Sequence, residues 1–379
     1  MLLKTFGWSF AITAIGLGLA GVLWGWQGLA IVGILSIMEI SLSFDNAVIN
    51  AGILRKMNAF WQKIFLTVGI LVAVFGMRLV FPVVIVALTA KMGPIEAVQL
   101  ALNDKARYQE LVTGAHPAIA AFGGIFLLMI FLDFLFEGRE HTWLSWIEKP
   151  LAKIGKLDTL SIIVALAVLL VSAVTVAPHA AHGGGDKTTT VLLAGIAGLI
   201  TYLVVGGISG YFEGRLEDDE AEEADGEGAA AVEKKSGGAG SAVGLAGKAA
   251  FFMFLYLEVI DASFSFDGVI GAFAITNDIF AMALGLGIGA MYIRSLTVFL
   301  VRKGTLDDYV YLEHGAHYAI GALGGILLVT IRYEISEVVT GLVGVVLIAL
   351  SFGSSVLRNR REGKSGQAPS AQAEVRSGV

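Results

Sequence analysis

Ten long apolar runs, separated by polar connections, leave this chain few ways to fold. They cover about residues 7–26, 28–53, 63–90, 113–136, 159–177, 189–212, 248–275, 278–301, 314–332 and 336–356. Roughly 20 apolar residues of helix cross the ~30 Å hydrocarbon core of a bilayer. In that solvent every backbone polar group must be satisfied inside the segment, which favours helices. The expectation is an all-α polytopic membrane protein. Composition agrees: 56% of residues are apolar and 15% charged, where a soluble domain carries about 25% charged residues. Only Lys4 precedes the first run and no small-residue cleavage site follows it, so it reads as a retained span.

The polar segments define the remaining organisation. The acidic, then Gly/Ser-rich stretch 213–247 contains Glu217 to Glu227 and has no apolar surface to cover, so it reads as a disordered linker. Residues 357–379 read as a basic disordered tail. With both termini cytoplasmic, 19 of the 26 basic residues fall on the cytoplasmic side, among them Arg55, Lys63, Arg139, Arg302 and Arg358. That asymmetry sets the expected orientation, and a bacterial cytoplasmic membrane is the expected location. No basic patch interleaved with aromatics is present, which argues against nucleic acid as a partner. The chain has no cysteine, which excludes disulfides and thiolate metal sites. Oligomeric state is not readable.

The chain also repeats itself. GAHPAIAAFGGIFLL from Gly114 returns as GAHYAIGALGGILLV from Gly315, and SFDNAVINA from Ser43 returns as SFDGVIGAF from Ser265. The surroundings of Arg78 return around Arg294. The order is the same in both copies, so the chain reads as a duplication: a first repeat over 1–177 and a second over 189–212 and 248–356. Five spans per repeat is an odd number, which inverts the second copy in the membrane. Inverted repeats are a recurrent architecture of secondary transporters, with the substrate site near the midplane where the halves meet.

The charged residues inside the runs carry the functional argument. A carboxylate at the bilayer centre costs roughly 2.5–3.5 kcal/mol on insertion scales. Glu39 and Asp45 nevertheless stand in the second run, with Ser43 and Asn46 beside them. Glu258, Asp261 and Asp267 stand in the seventh, with Ser265. Aligning the Ser-Phe-Asp triplets sets Asp261 opposite Glu39, and Glu258 opposite Ser36. Carboxylate, amide and hydroxyl oxygens suit hard divalent ions such as Mn²⁺, Mg²⁺ or Ca²⁺. Arg78 and Arg294 can pair two of the five acids, which leaves an excess for a cation or proton to neutralise. His116 and His317, at helix starts, are secondary candidates. Six residues of helix turn about 600°, so Glu39 and Asp45 point about 120° apart on a regular helix. Either each helix presents a wide polar face or it unwinds near Ser-Phe-Asp, Asp267-Gly268 being the more plausible break.

The acid, six residues, then Asp-Asn, in Glu39-Ile-Ser-Leu-Ser-Phe-Asp45-Asn46, resembles the TerC family of integral membrane proteins, and mid-span Arg78 fits the same pattern. The two-copy form looks like its DUF475 branch. The resemblance implies a LysE-like transporter architecture and a role in metal homeostasis, with manganese export the leading activity and tellurium resistance the older label. It assigns Glu39, Asp45 and Asn46 to one acidic motif, and Asp261 and Asp267 to its second copy. Gly268 stands where an Asn is expected.

The expected function is therefore alternating-access export of a divalent cation, Mn²⁺ first, with proton coupling through the acids. The metal is substrate, not cofactor. Two rivals come from other classes. A scaffold would use the acids only to fix helix pairing. An intramembrane aspartyl protease would need paired aspartates, which Asp45 and Asp267 imitate. No His-Glu-x-x-His pair, phosphate loop or nucleophile elbow is present, so no catalytic residue is assigned and no enzyme is expected.

Overall fold

The computed structural model describes residues 2–55, 57–139, 141–155, 159–226, 247–276, 278–303 and 309–365. Within its helices, the side chains of Asp45, Arg78, Ser265 and Asp267 lie outside the described residues. Every apolar run falls on helix and no strand forms among the described residues. Six helical segments are long and apolar enough to cross a membrane: Phe6–Ile40, His116–Phe136, Leu160–His179, Thr188–Gly207, Ile279–Val301 and Val339–Arg361. This is a polytopic membrane protein.

The first helix, α1 (Leu2–Leu42), contains the first run and the second as far as Leu42. At Gly25 the backbone leaves the helical region, with φ +66° and ψ −158°. The chain there turns back on itself. A Cβ at Gly33 would stand 4.0 Å from Leu17, and one at Gly21 3.6 Å from Leu29. On a straight helix those pairs would be about 24 and 12 Å apart. Both limbs pack along α12 (Ile279–Lys303): Ser9 Oγ meets Ser295 Oγ at 2.8 Å from the first limb, and Ser36 Oγ donates to Gly285 O at 3.0 Å from the second.

The second run is interrupted, and not where the breaker residues pointed. The turn falls at Ser43, between α1 and α2 (Phe44–Leu54), whereas α11 (Gly247–Ile275) runs helically through Asp267-Gly268. The third run is one continuous helical path: α3 (Ala59–Leu71), a π-helical stretch (Val72–Val80) holding Arg78, and α4 (Phe81–Thr89). Pro82 explains the wider turn. It has no N–H and its ring clashes with a carbonyl four residues back, and π-bulges are one way a helix accommodates such an interruption.

Two short helices, α5 (Pro94–Asn103) and α6 (Lys105–Gly114), fold over one end of the bundle. There Ala97, Ala101, Tyr108 and Val112 pack against Val269, Ala272 and Phe273 of α11. Lys105 Nζ reaches Asp278 between α11 and α12 at 2.7 Å. Next come α7 (His116–Phe136), α8 (Ser145–Ile154), α9 (Leu160–Thr175) and α10 (Thr188–Gly226). After α11 and α12, the chain closes with α13 (Leu312–Thr330) and α14 (Glu337–Ser365).

Helices α7 and α13, which carry the repeated Gly-Ala-His motif, pack antiparallel. His116 Nε2 lies 3.5 Å from Thr330 Oγ1 at one end, and the Phe134 ring stacks on His317 at 4.0 Å at the other. In between, a Cβ at Gly124 would stand 3.1 Å from Gly324 O, and one at Gly324 3.0 Å from Gly124 O. The repeated glycine pairs thus let two backbones approach closely. The largest core cluster joins these helices to α2, α9, α10, α11 and α12.

Two boundaries differ from expectation. Helix α10 continues to Gly226, so 213–226, expected as disordered linker, is helical, and α14 carries the expected tail as helix to Ser365. Once a spanning helix is nucleated, each further residue costs little, and Ala, Glu, Arg and Lys are good helix formers. The rest of the linker up to residue 246, and 366–379, lie outside the described residues.

Candidate functional site

Glu39 lies near the end of the second limb of α1 and is buried. Ser43, at the break before α2, donates its hydroxyl to Glu39 Oε1 at 2.9 Å. The Glu39 side chain passes directly over Gly289 of α12, where a Cβ would stand 2.6 Å from Glu39 Cγ. Its Oε2 reaches α11, 3.0 Å from where a Cβ of Gly268 would be. The carboxylate of the first acidic motif therefore sits against the backbone of the second. Gly268, at the position matching Asn46 of the first motif, leaves the room that Glu39 occupies.

A second cluster lies on the other side of α12. Arg294 is 3% exposed and its Nη2 stands 3.3 Å from Asp261 Oδ2 and 3.6 Å from Glu258 Oε1. The same nitrogen donates to Gly69 O at 3.3 Å, and the guanidinium stacks on the Phe65 ring at 3.8 Å. One resident cation thus faces two of the five acids. Gly289 and Arg294 are five residues apart, so the two clusters are offset by about 7.5 Å along α12.

Equivalent glycines make the two contacts. Gly69 and Gly285 each stand nine residues before the repeated arginine. Gly285 faces Val32, Leu35 and Ser36 of the first half, while Gly69 faces Phe254 and Glu258 of the second. Ser36 and Glu258 occupy matching positions in the two acidic helices. A seryl hydroxyl anchors one contact and an arginine–glutamate pair fills the other.

Asp45 and Asp267 are placed by backbone alone. Asp45 lies in the first turn of α2, two residues after Ser43, and Asp267 immediately precedes Gly268 on α11. Asn46 is buried beside Asp45. The side chains of Asp45, Asp267, Ser265 and Arg78 lie outside the described residues. Among the described residues, no three His, Asp or Glu side chains gather as a metal-holding group. His116 and His317 stand near opposite ends of the α7–α13 pair. His116 packs edge-on to His182 at 5.6 Å, and His317 Nδ1 donates to Glu313 O at 2.8 Å.

Three polar residues escaped the sequence reading as candidates. Asn50, one turn beyond Asn46, is 0% exposed, and neither atom of its amide has a hydrogen-bond partner among the described residues. Its i, i+4 spacing from Asn46 was the available signal. Glu148, in a connection, is buried and accepts from Trp143 N and Leu144 N at 3.1 and 3.0 Å, with His314 Nε2 at 3.6 Å. Asp133, inside the fourth run, accepts from the Tyr202 hydroxyl at 2.5 Å.

Fold and site together define a polytopic all-helical membrane protein with ionisable side chains held inside its helix packing. The chain belongs to the family described as "Protein of unknown function (DUF475)", whose model matches residues 44–362. No curated protein and no solved structure matches it.

Proposed function

We propose that the protein transports a divalent cation across the cytoplasmic membrane of a bacterium, with Mn²⁺ export as the leading activity. The observation that carries this reading is the reach of Glu39 from the first acidic motif to Gly268 of the second, 3.0 Å from a Cβ position there. In this proposal Glu39, Asp45, Asn46 and Ser43 from one half would join Asp267 and Ser265 from the other in an oxygen-rich site suited to a hard cation. Asp261 and Glu258 are held instead at Arg294, about 7.5 Å along α12 from Gly289.

The architecture behind this reading is two inverted five-helix repeats, as in LysE-like and TerC-type proteins. The antiparallel α7–α13 crossing and the matched Gly69 and Gly285 contacts support that symmetry. Both termini are cytoplasmic in this account. Arg55 and Arg139 then meet Glu313 on the cytoplasmic side, both at 3.4 Å, which agrees with the distribution of basic residues. A carboxylate that takes up a proton as the metal leaves would couple export to proton return.

The Arg294 pairing supports a second reading, in which the acids only fix helix packing in a membrane scaffold. Cellular Mn²⁺ accumulation separates the two. Cells producing the protein should hold less Mn²⁺ than cells without it, and equally expressed Asp45→Asn and Asp267→Asn should abolish the difference. Unchanged accumulation of Mn²⁺, Ca²⁺ and Mg²⁺ would favour the scaffold.

A further inference from the structure

Glu39, Ser43, Asn46 and Asn50 recur at i, i+4, i+7 and i+11, the spacing of a single helical stripe. All four are buried. The turn at Ser43 does not split the stripe, because Ser43 N still donates to Glu39 O at 3.0 Å. Past Asn50 the polar line stops at an apolar cluster of Leu54, Met57 and Phe65. Beyond that cluster lies the bundle end where Arg55 meets Glu313.

Asn50 contrasts with buried hydroxyls elsewhere in these helices, and shares with Glu258 and Arg294 buried polar atoms that have no hydrogen-bond partner among the described residues. Ser36 is tied to Val32 O and Gly285 O, and Thr297 to Ile293 O. Buried polar side chains are nearly always satisfied in this way. Asn50 is fully buried, yet among the described residues both its Nδ2 and its Oδ1 lack a hydrogen-bond partner. An amide kept for packing alone would be better replaced by an apolar side chain of the same size. The second repeat does not carry this feature. The matching positions on α11 are Asp261, Ser265, Gly268 and Ala272, so the amides of the first copy become Gly and Ala.

We infer that Asn50 is a coordination point on the ion path, between the acidic site and the Leu54–Met57–Phe65 plug, where its amide oxygen takes the place of a water ligand on a divalent cation. The inference rests on the transport reading. The path is one-sided: the amide-lined approach belongs to the first repeat and runs toward the Arg55 end.

The test is Mn²⁺ flux into liposomes holding the purified full-length protein, alongside its thermal unfolding in detergent. Asn50→Leu should unfold at the wild-type temperature or above it while flux falls about tenfold, the effect of losing one weak ligand. Asn50→Asp, which keeps an oxygen at this position, should retain flux. Where Asn50→Leu does not fold, Asn50→Ser and Asn50→Ala replace it, with Ser expected to be the faster. Wild-type flux in folded Asn50→Leu, or equal flux in wild type, Ser and Ala, overturns the role of Asn50 and leaves the transport reading standing. No Mn²⁺ flux in the wild type overturns the transport reading, and this inference with it.

Discussion

Arg294 makes a concentrated set of contacts in the packed interior. It faces Glu258 and Asp261, caps Gly69 O and stacks on Phe65. Removing one partner of a buried ion pair costs roughly 3–5 kcal/mol, because the other charge is left uncompensated. Arg294→Gln is therefore expected to lower the thermal unfolding temperature sharply, and Glu258→Gln in the same chain should restore part of the loss. A single variant as stable as wild type would show that the pairing holds nothing. At this scale the candidate acids were legible because carboxylates inside apolar runs are rare. Their division of labour was not. Which acids Arg294 faces depends on how α3 and α12 meet α11, a tertiary contact that residue spacing does not encode. The vacant amide of Asn50 was hidden for the same reason, since satisfaction is a property of neighbours.

At the scale of elements, the apolar runs located every long helix, while the turns between and within them needed backbone geometry. Gly25 is the clearest case. The gap between the first two runs marks a break at Gln27, but the reversal is made at Gly25, with φ +66° and ψ −158°. Such a conformation is nearly confined to glycine and costs other residues about 1–3 kcal/mol. A Cβ at Gly25 meets nothing within 4 Å, so Gly25→Ala isolates the backbone term. Its unfolding temperature in detergent should fall, and Gly18→Ala, which also meets nothing within 4 Å and carries no such φ, should leave it unchanged. The π-helical stretch around Arg78 and the turn at Ser43 are similar cases. Both shift the register of side chains beyond them without altering hydropathy. The helical continuations to Gly226 and Ser365 went unseen because polar composition was read as disorder, although Ala, Glu, Lys and Arg propagate a helix already begun.

At the scale of the whole molecule, the two copies are joined through glycine contacts inside and ion pairs at the ends. Lys105 of α6 clasps Asp278 between α11 and α12. Burial acts to raise the Asp278 carboxyl, but Lys105 and the N–H groups of Ala281 and Phe280 outweigh it and hold it below the usual carboxylate range. A depressed folded value means that the clasp stabilises above the unfolded value, near pH 4, and is lost as pH falls through the folded one. Unfolding scans from pH 7 downward should show Lys105→Ala less stable by about 0.2–1 kcal/mol, as for exposed pairs, with the gap closing in acid. Three motifs recur in the same order along the sequence. The way the acidic motif of one copy seats against a glycine of the other was not legible there, because Gly268 reads as a lost ligand until Glu39 is seen beside it. In the proposed transporter, acids from both copies build one cation site. Equilibrium Mn²⁺ binding to the purified full-length protein tests it most directly, with Glu39→Gln from one copy and Asp267→Asn from the other. A single class of sites is expected, which either substitution weakens strongly while both variants remain folded. Binding that survives both substitutions, or that depends on one copy alone, would contradict it.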